Sequence, residues 1–469
     1  MIRRPNFLAM LALVALPLGG CQSYHPAPVN AAAMAVARQQ RSADPEAVRI
    51  EQARIAATAP YDATRWTRLS VMAALLIHNP DVAAARAAIA SARAQEKAAR
   101  QAPGATLTLS SEYANDPSTS SPWLLGGAVD VPLDIGGRRT ARITSAALSV
   151  AIARYDYADT LWAARMQARR ALADMLIASR EAETGEHLFA LRNQQQAAME
   201  KRLKAGAVSR ADLERVRADV ASAAASVEDA RGRVTAARQA LAAAIGLSVE
   251  ALGSIAFDWS GFDDPAPDPT GNEVVRDRSG ATVARADVLK AIAAYDQAES
   301  DLRGEVAKQY PAISITPGYT WERGLTKLPL SVGLVLPPLD LNRHAIAAAQ
   351  SKRAEAGRKL EAVVAAANAG LDSAISECRL ARAALARVRE ADLPIARRLA
   401  AQAEAQFRRG QIDRTDWAAA QGGVPQAQLT ELAALARVHA ADAALEDALR
   451  RPLEGPELML NPGALEPNP

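Results

Sequence analysis

Two stretches of apolar–polar alternation interrupt a chain that is otherwise Ala-rich and helical in pattern, and they limit its fold more than any other feature. In the first, Leu107, Leu109 and Tyr113 alternate with Thr106, Thr108, Ser110 and Glu112. A turn-forming Asn115-Asp116-Pro117-Ser118 follows. Trp123, Leu125, Val129, Val131, Leu133 and Ile135 then fall on one parity, with Gly126, Ala128, Asp130 and Asp134 on the other. A period of two gives a strand one apolar face and one wet or small-residue face, so this reads as a β-hairpin. The second, from Ile313 to Leu341, repeats the pattern. Ile313, Ile315, Tyr319 and Trp321 are followed by a turn at Arg323-Gly324, then by Leu328, Leu330, Val332, Leu334 and Leu336. Four such strands cannot close a barrel, because about eight is the practical minimum. Either several chains complete one barrel together, or the hairpins lie on some other surface.

The rest of the chain repeats around these hairpins. Asp81-Val82 is echoed by Asp287-Val288, Val131-Pro-Leu-Asp-Ile by Pro337-Pro-Leu-Asp-Leu, and Gly206 by Gly410, an offset of about 205 residues. That is an internal duplication rather than a short-period solenoid. The expected organisation is a targeting segment over 1–20 and a linker or wrap over 21–65, with one short helix within 30–58. A first repeat over 66–246 holds a hairpin at 105–135. An irregular inter-repeat segment covers 247–282, a second repeat over 283–451 holds a hairpin at 312–341, and a loose tail covers 452–469.

Within each repeat the pattern predicts a short helix, a hairpin, a very long helix and a medium helix. The long helices cover 138–204 and 342–409, and the medium ones 210–245 and 414–449. At 1.5 Å per residue each long helix spans roughly 100 Å, and the two shorter helices of a repeat sum to about that length. They therefore stack end to end beside the long one. The result is a rod with both hairpins at one end and both helix turns at the other.

At those turns, Gly206 and Gly410 are placed to be left-handed C-terminal caps. Ser209 and Asp413 take N-cap positions, with Asp212 and Asp416 three residues on, as in a capping box with Asp in place of Glu. Arg210 and Arg414 flank both turns. Charged tips of this kind could also dock a partner or gate a passage.

The amino terminus is a targeting segment. Arg3 and Arg4 precede an apolar run, Phe7 to Leu18, that is too short to span a bilayer. Leu18-Gly19-Gly20-Cys21 is similar to a bacterial lipobox in which Cys21 becomes the acylated first residue, and Gln22 suggests sorting to the outer membrane. Cys378 is the one other cysteine, so no disulfide framework exists, and it reads as a packing residue. Hydrophobic residues make up 49% of the chain but aromatics only 4%, which favours thin Ala/Leu helix seams over one thick core. The formal charge of +3 is spread without a basic block, which argues against nucleic acid.

Taken together, the chain resembles the TolC family of outer membrane efflux channels. The residues that carry this are the lipobox at Cys21, HNPDVAAARAAIASARAQ from His78, VDVPLDIGGRR from Val129, AGAVSRADL from Ala205, the second hairpin, and RRGQIDRTDWAAAQ from Arg408. They cover nearly the whole mature chain in the family's order. The resemblance implies a homotrimer whose chains jointly supply a twelve-stranded barrel and an α-helical tunnel across the periplasm. It implies docking onto a periplasmic adaptor and an inner membrane pump. It also implies that Arg210, Asp212, Arg414 and Asp416 close the periplasmic end or contact the adaptor. Ala419 departs from the pattern, standing where some members carry a further acidic residue. The PPLDLNRHAIAAAQ segment is similar to the heavy-metal efflux branch, which suggests metal cations as cargo.

Under this reading, Tyr113, Trp123, Tyr319 and Trp321 near the hairpin turns form an interfacial aromatic girdle. No resident metal or cofactor is expected. His25, His78, His187, His344 and His439 make no ligand spacing, and the acidic residues of 247–282 are broken by Pro. No nucleophile–base pattern stands out, so an enzyme is not expected. The rivals are a periplasmic coiled-coil lipoprotein that scaffolds without conducting, and a soluble metal- or ligand-binding protein. The latter would need a polar cluster that the sequence does not show.

Overall fold

The computed structural model describes residues 23–113, 122–265, 269–271, 278–322 and 324–465. Cys21 and the rest of the targeting segment, the turn at Asn115–Ser118, Arg323, Pro267, Asp268 and residues 466–469 lie outside them. The chain divides into two units, Met1–Arg41 and Ser42–Pro469. The first carries helix α1 (Ala31–Gln39), capped by Asn30, whose side chain accepts from the Ala33 amide.

The helix expected within 30–58 is in fact two. Asp44 accepts from the Glu46 and Ala47 amides, and Pro45 opens a new helix, α2 (Pro45–Ile55). Val48, Gln52 and Ile55 of α2 are buried, so this segment belongs to the core rather than to a linker. Next come α3 (Arg68–His78) and α4 (Pro80–Ala99), and then the strands β1 (Thr106–Tyr113) and β2 (Trp123–Leu133). Helices α5 (Arg138–Lys204) and α6 (Arg210–Ile245) close the first repeat. The second repeat runs α7 (Ala286–Ala307), β3 (Ala312–Glu322), β4 (Leu325–Lys327), β5 (Leu330–Val335), α8 (Arg343–Arg387), α9 (Leu393–Arg408) and α10 (Arg414–Leu449).

Helices α4 and α6 meet end to end beside α5. Asn79 caps α4 by accepting from the Asp81 and Val82 amides, and its side-chain nitrogen donates to the Ala244 carbonyl at the end of α6. The junction needs glycine at position 246. Its φ is +95°, and a Cβ there would lie 2.4 Å from the His78 carbonyl oxygen. In the second repeat, Arg285 occupies the N-cap position of α7 and donates to the Ala448 carbonyl near the end of α10.

Two features of the second repeat depart from the expected pattern. Its long helix is interrupted by a π-turn, Val388–Asp392, between α8 and α9. The π-turn adjoins Pro394, which has no N–H for the Glu390 carbonyl one turn back. The repeat's last strand is split into β4 and β5 at Leu328-Pro329, where proline likewise has no N–H, although the Pro329 carbonyl still accepts from the Gly318 amide.

The core lies at the level where the short helices meet. Val48, Leu69, Leu75, Leu172, Leu241, Ile245, Cys378, Leu435 and Leu445 are all buried in one cluster. Trp259 and Phe262 join it, so this part of 247–282 is packed core rather than an irregular surface band. Residues 256–257 also pair in parallel with 65–66. The tail is likewise held. Glu457 is buried, and the Asn461 amide donates to the Ile55 carbonyl. No helix among the described residues is long and apolar enough to cross a membrane.

Candidate functional site

The two hairpins join into one antiparallel sheet in the order β1-β2-β3, with β4 and β5 both on the far side of β3. Register places like with like. Leu107 faces Val129, Val131 faces Ile315, and Leu133 faces Ile313, which in turn faces Leu334. One face of the sheet is therefore apolar across β1, β2, β3 and β5, while short β4 puts Thr326 on that side. The other carries Thr108, Ser110, Gly126, Asp130, Ser314, Thr316 and Gly333. On that face the Thr316 hydroxyl donates to Asp130 at 2.6 Å, and Lys327 pairs with Glu322. The glycines are matched to this side, since a Cβ at Gly126 or Gly333 would meet the hydroxyl of Ser110 or Ser314 at 2.5 Å.

Among the described residues, no helix covers the apolar face. Leu109 is 74% exposed, Leu330 71% and Val332 63%, and Leu107, Val129, Val131, Leu133 and Leu334 are exposed as well. Tyr113 and Trp123 pack edge to face at 5.0 Å at the turn end of the first hairpin and are exposed, while Tyr319 and Trp321 are half-buried on β3. The outer edges of β1 and β5 carry no neighbouring strand among the described residues.

At the base of the sheet each repeat bends sharply into its long helix. Gly136 and Gly137 both have positive φ, and Arg138 donates to the Ala307 carbonyl at the end of α7. The equivalent bend uses left-handed Leu341 and Asn342, and the Asn342 side chain donates to the Glu305 carbonyl. The bends thus add side-chain donors to carbonyls at the end of α7 that already accept from the Lys308 and Tyr310 amides.

At the opposite ends of the long helices lie the two turns. Gly206 and Gly410 have φ of +73° and +69°. In the first turn Ser209 Oγ accepts from the Asp212 amide, and the Asp212 carboxylate accepts from the Ser209 amide and hydroxyl. The hydroxyl of Ser209, followed by its amide, holds Asp212 below the usual carboxylate range. Val208 packs with Leu213 and Met199.

The second turn differs. Asp413 accepts from the Thr415 and Asp416 amides, but Asp416 does not reach back, so the expected capping box is half-formed there. A carboxylate at the N-cap can accept from the amides but has no proton to offer Asp416, whereas Ser209 donates to Asp212. The Asp416 side chain is left exposed. Trp417 instead donates to Glu404 at 2.6 Å and packs on Phe407. The two turns are joined by an ion pair between Arg202, at the end of α5, and Asp413.

Arg210 and Arg414 are exposed and are the first helical residues of α6 and α10. A helix N-terminus is the positive end of the macrodipole, so a cation at this position is unfavourable for the helix.

A third feature was not legible in the sequence. Arg68, Arg165 and Arg169 are buried together with Glu446, Glu457 and the largely buried Glu454. Arg165 reaches Glu446 at 3.0 Å, Arg169 reaches Glu454 at 3.1 Å, and Arg68 reaches Glu457 at 3.3 Å. The Arg68 guanidinium also lies 4.4 Å from the centre of the Trp259 ring. Burial raises the Glu446 carboxyl, but Arg169 and Arg165 outweigh it and hold the group below its ordinary range. At Glu454 burial wins over Arg169 and Arg68, and the carboxyl is pushed up. Beside this cluster, His439 stacks on Phe262 at 4.2 Å, and burial pushes its imidazole down to about 4. No group of side chains among the described residues is placed to hold a metal ion.

The sequence matches the outer membrane efflux protein family model over residues 71–247 and 278–449. Among curated proteins, none matches it. Several solved structures share the fold. The outer membrane protein VceC of Vibrio cholerae is 17% identical with a TM-score of 0.66, covering 82% of this chain and 97% of its own. A membrane protein from Pseudomonas aeruginosa is 18% identical with a TM-score of 0.68, covering 92% and 98%. The open state of the MtrE outer membrane channel of Neisseria gonorrhoeae is 16% identical with a TM-score of 0.63, covering 82% and 89%. At these identities the likeness establishes the fold.

Proposed function

This chain belongs to the outer membrane efflux protein family, and on that footing we propose that it is the outer-membrane conduit of a tripartite export system. Three copies form a passive channel that receives solutes from an inner membrane pump through a periplasmic adaptor. Cys21 carries the lipid anchor. The helix turns bearing Arg210, Asp212, Arg414 and Asp416 form the periplasmic entrance and the adaptor contact, and Tyr113, Trp123, Tyr319 and Trp321 sit at a membrane interface.

One observation carries this reading: among the described residues, the sheet of two hairpins, its last strand split into β4 and β5, has two open edges and a bare apolar face. In water that face would be an aggregation surface. In lipid it is at home, but the edges must then be paired, because hydrocarbon offers no hydrogen bonds. Three copies supply twelve strands, enough to close a barrel with the polar, glycine-lined face inward. A non-conducting scaffold lipoprotein would instead need its hairpins folded onto its own helices.

A Cys21→Ala variant tests this. It is expected to need detergent for extraction, to run as a heat-dissociable trimer and to conduct in planar bilayers. Recovery as a soluble monomer after mild washing would end the channel reading.

A further inference from the structure

Resting on the conduit reading above, we propose that the helix-turn entrance is cationic and favours anionic solutes over cations. Residues 200–217 and 404–421 hold nine Lys and Arg against six Asp and Glu. That surplus of three equals the formal charge of the whole chain, which is +3. The pairing within this set sharpens the imbalance. Asp413 is taken by Arg202, Asp212 by Arg215, Glu404 by Arg408, and both Glu200 and Glu214 by Arg217. Lys201, Lys204, Arg210, Arg409 and Arg414 are exposed and form no ion pair among the described residues, Lys204 acting on Glu200 only at longer range, and on the acidic side only Asp416 is likewise without an ion pair.

Two of these cations are not there for the helices. Lys201 and Lys204 suit the C-terminal end of α5, but Arg210 and Arg414 stand at the N-terminal ends of α6 and α10, where the helix dipole opposes them. Ser209 and Asp413 already supply the caps, so local structure gains nothing from either arginine. The pair between Arg202 and Asp413 holds the two turns side by side, so their charges add within one tip.

Three tips around a narrow opening place the surpluses within reach of one another, and low-dielectric walls focus their field. At physiological salt the Debye length is about 8 Å, so the effect acts on solutes in the mouth rather than at a distance. Negatively charged solutes are concentrated there, and bare metal cations are opposed.

The test uses the full-length lipidated trimer in planar bilayers under a tenfold KCl gradient. The unmodified protein is expected to show a reversal potential of the sign that marks chloride preference. The double variant Arg210→Glu, Arg414→Glu should move it towards potassium preference by at least a twofold change in permeability ratio. Its helices should be no less stable, since the dipole then favours the new residues. Lys201→Gln with Lys204→Gln, which leaves both caps untouched, should move it the same way by a smaller amount. Open channels that prefer potassium, or a ratio that neither double variant changes, would overturn the inference and leave the conduit reading standing. Absence of any conductance from the intact trimer would instead remove the conduit reading, and this inference with it.

Discussion

The side-chain nitrogen of Asn79 donates to the carbonyl oxygen of Ala244 across 2.7 Å, while its oxygen accepts from the Asp81 and Val82 amides. One buried residue thus closes the start of α4 and the end of α6 and fixes the two as a collinear pair beside α5. Arg285 does the corresponding work in the second repeat by a different chemistry, donating to Ala448 while Asp287 neutralises it at 2.7 Å. Asn79→Ala removes an N-cap and leaves a buried carbonyl without its donor, so a loss of about 2 kcal/mol is expected. Asn79→Asp keeps the acceptor but turns a second acceptor towards Ala244, and should lose nearly as much. Thermal unfolding followed by circular dichroism in detergent checks both. A loss confined to Asn79→Ala would mean that the junction bond is idle.

The sheet makes a prediction that depends on parity alone. Val332 lies on the bare apolar face and Ser331 on the opposite one. Arginine at the midplane of a lipid-facing strand costs about 2–4 kcal/mol, whereas a lumen position tolerates charge. Val332→Arg should therefore reduce the heat-stable trimer recovered from outer membranes, and Ser331→Arg should leave it at the unmodified level. Equal recovery of the two variants would show that the faces are not divided between lipid and water.

Where a feature is set by residues near one another in sequence, it could be read directly. Gly206 followed by Ser209 and Asp212 announces a left-handed stop and a new cap. The alternation at 106–113 and 123–133 announces strands and their faces. Gly136 and Gly137 mark the bend between strand and helix. Other features depend on partners hundreds of residues apart. Nothing around Arg169 points to Glu454, and the tail around Glu457 looks loose until Arg68 and Arg165 are seen to hold it. Trp259 and Phe262 sit among Gly, Asp and Pro, a composition that signals a surface loop, yet they pack on His439 and the arginine cluster. The π-turn adjoins Pro394, but whether a proline inside a long helix is absorbed or breaks it depends on the packing around it. Here Arg389 is held by Glu431 at 2.7 Å.

The buried cluster should be the most sensitive point of the core. Arg169 is almost wholly buried and serves Glu446 and Glu454 together. Arg169→Ala leaves two carboxylates buried with fewer counter-charges, and removing one member of such a network costs about 3–5 kcal/mol. The segment after Leu449 should then become open to protease, a change visible by mass spectrometry of the cleaved ends. Glu454→Gln should be far milder, because burial already raises that carboxyl towards its neutral form. Equal protease resistance of the unmodified protein and Arg169→Ala would show that the tail is held by other contacts.

Stability should also fall with acid in a window that His439 sets. Its ring is buried between Phe262 and Trp259 and has its pKa lowered from 6.5 to about 4, chiefly by burial, with Arg169 and Arg68 also opposing its protonation. A base whose folded pKa is depressed contributes stability that is fully present above pH 6.5. That stability is lost as pH falls towards 4, because the unfolded chain takes up the proton first. A shift of this size corresponds to a change on the order of 3 kcal/mol across the window. Glu446 acts at a lower pH: its carboxyl is held below the ordinary value, so its contribution is lost from the ordinary carboxylate range downward, where the unfolded chain takes up the proton first. The unfolding temperature should therefore drop between pH 6.5 and 4 in the unmodified protein. In His439→Gln, which can still donate to the Phe262 carbonyl, it should be nearly flat until the carboxylates begin to titrate. Parallel curves for the two proteins would show that the imidazole does not set the window.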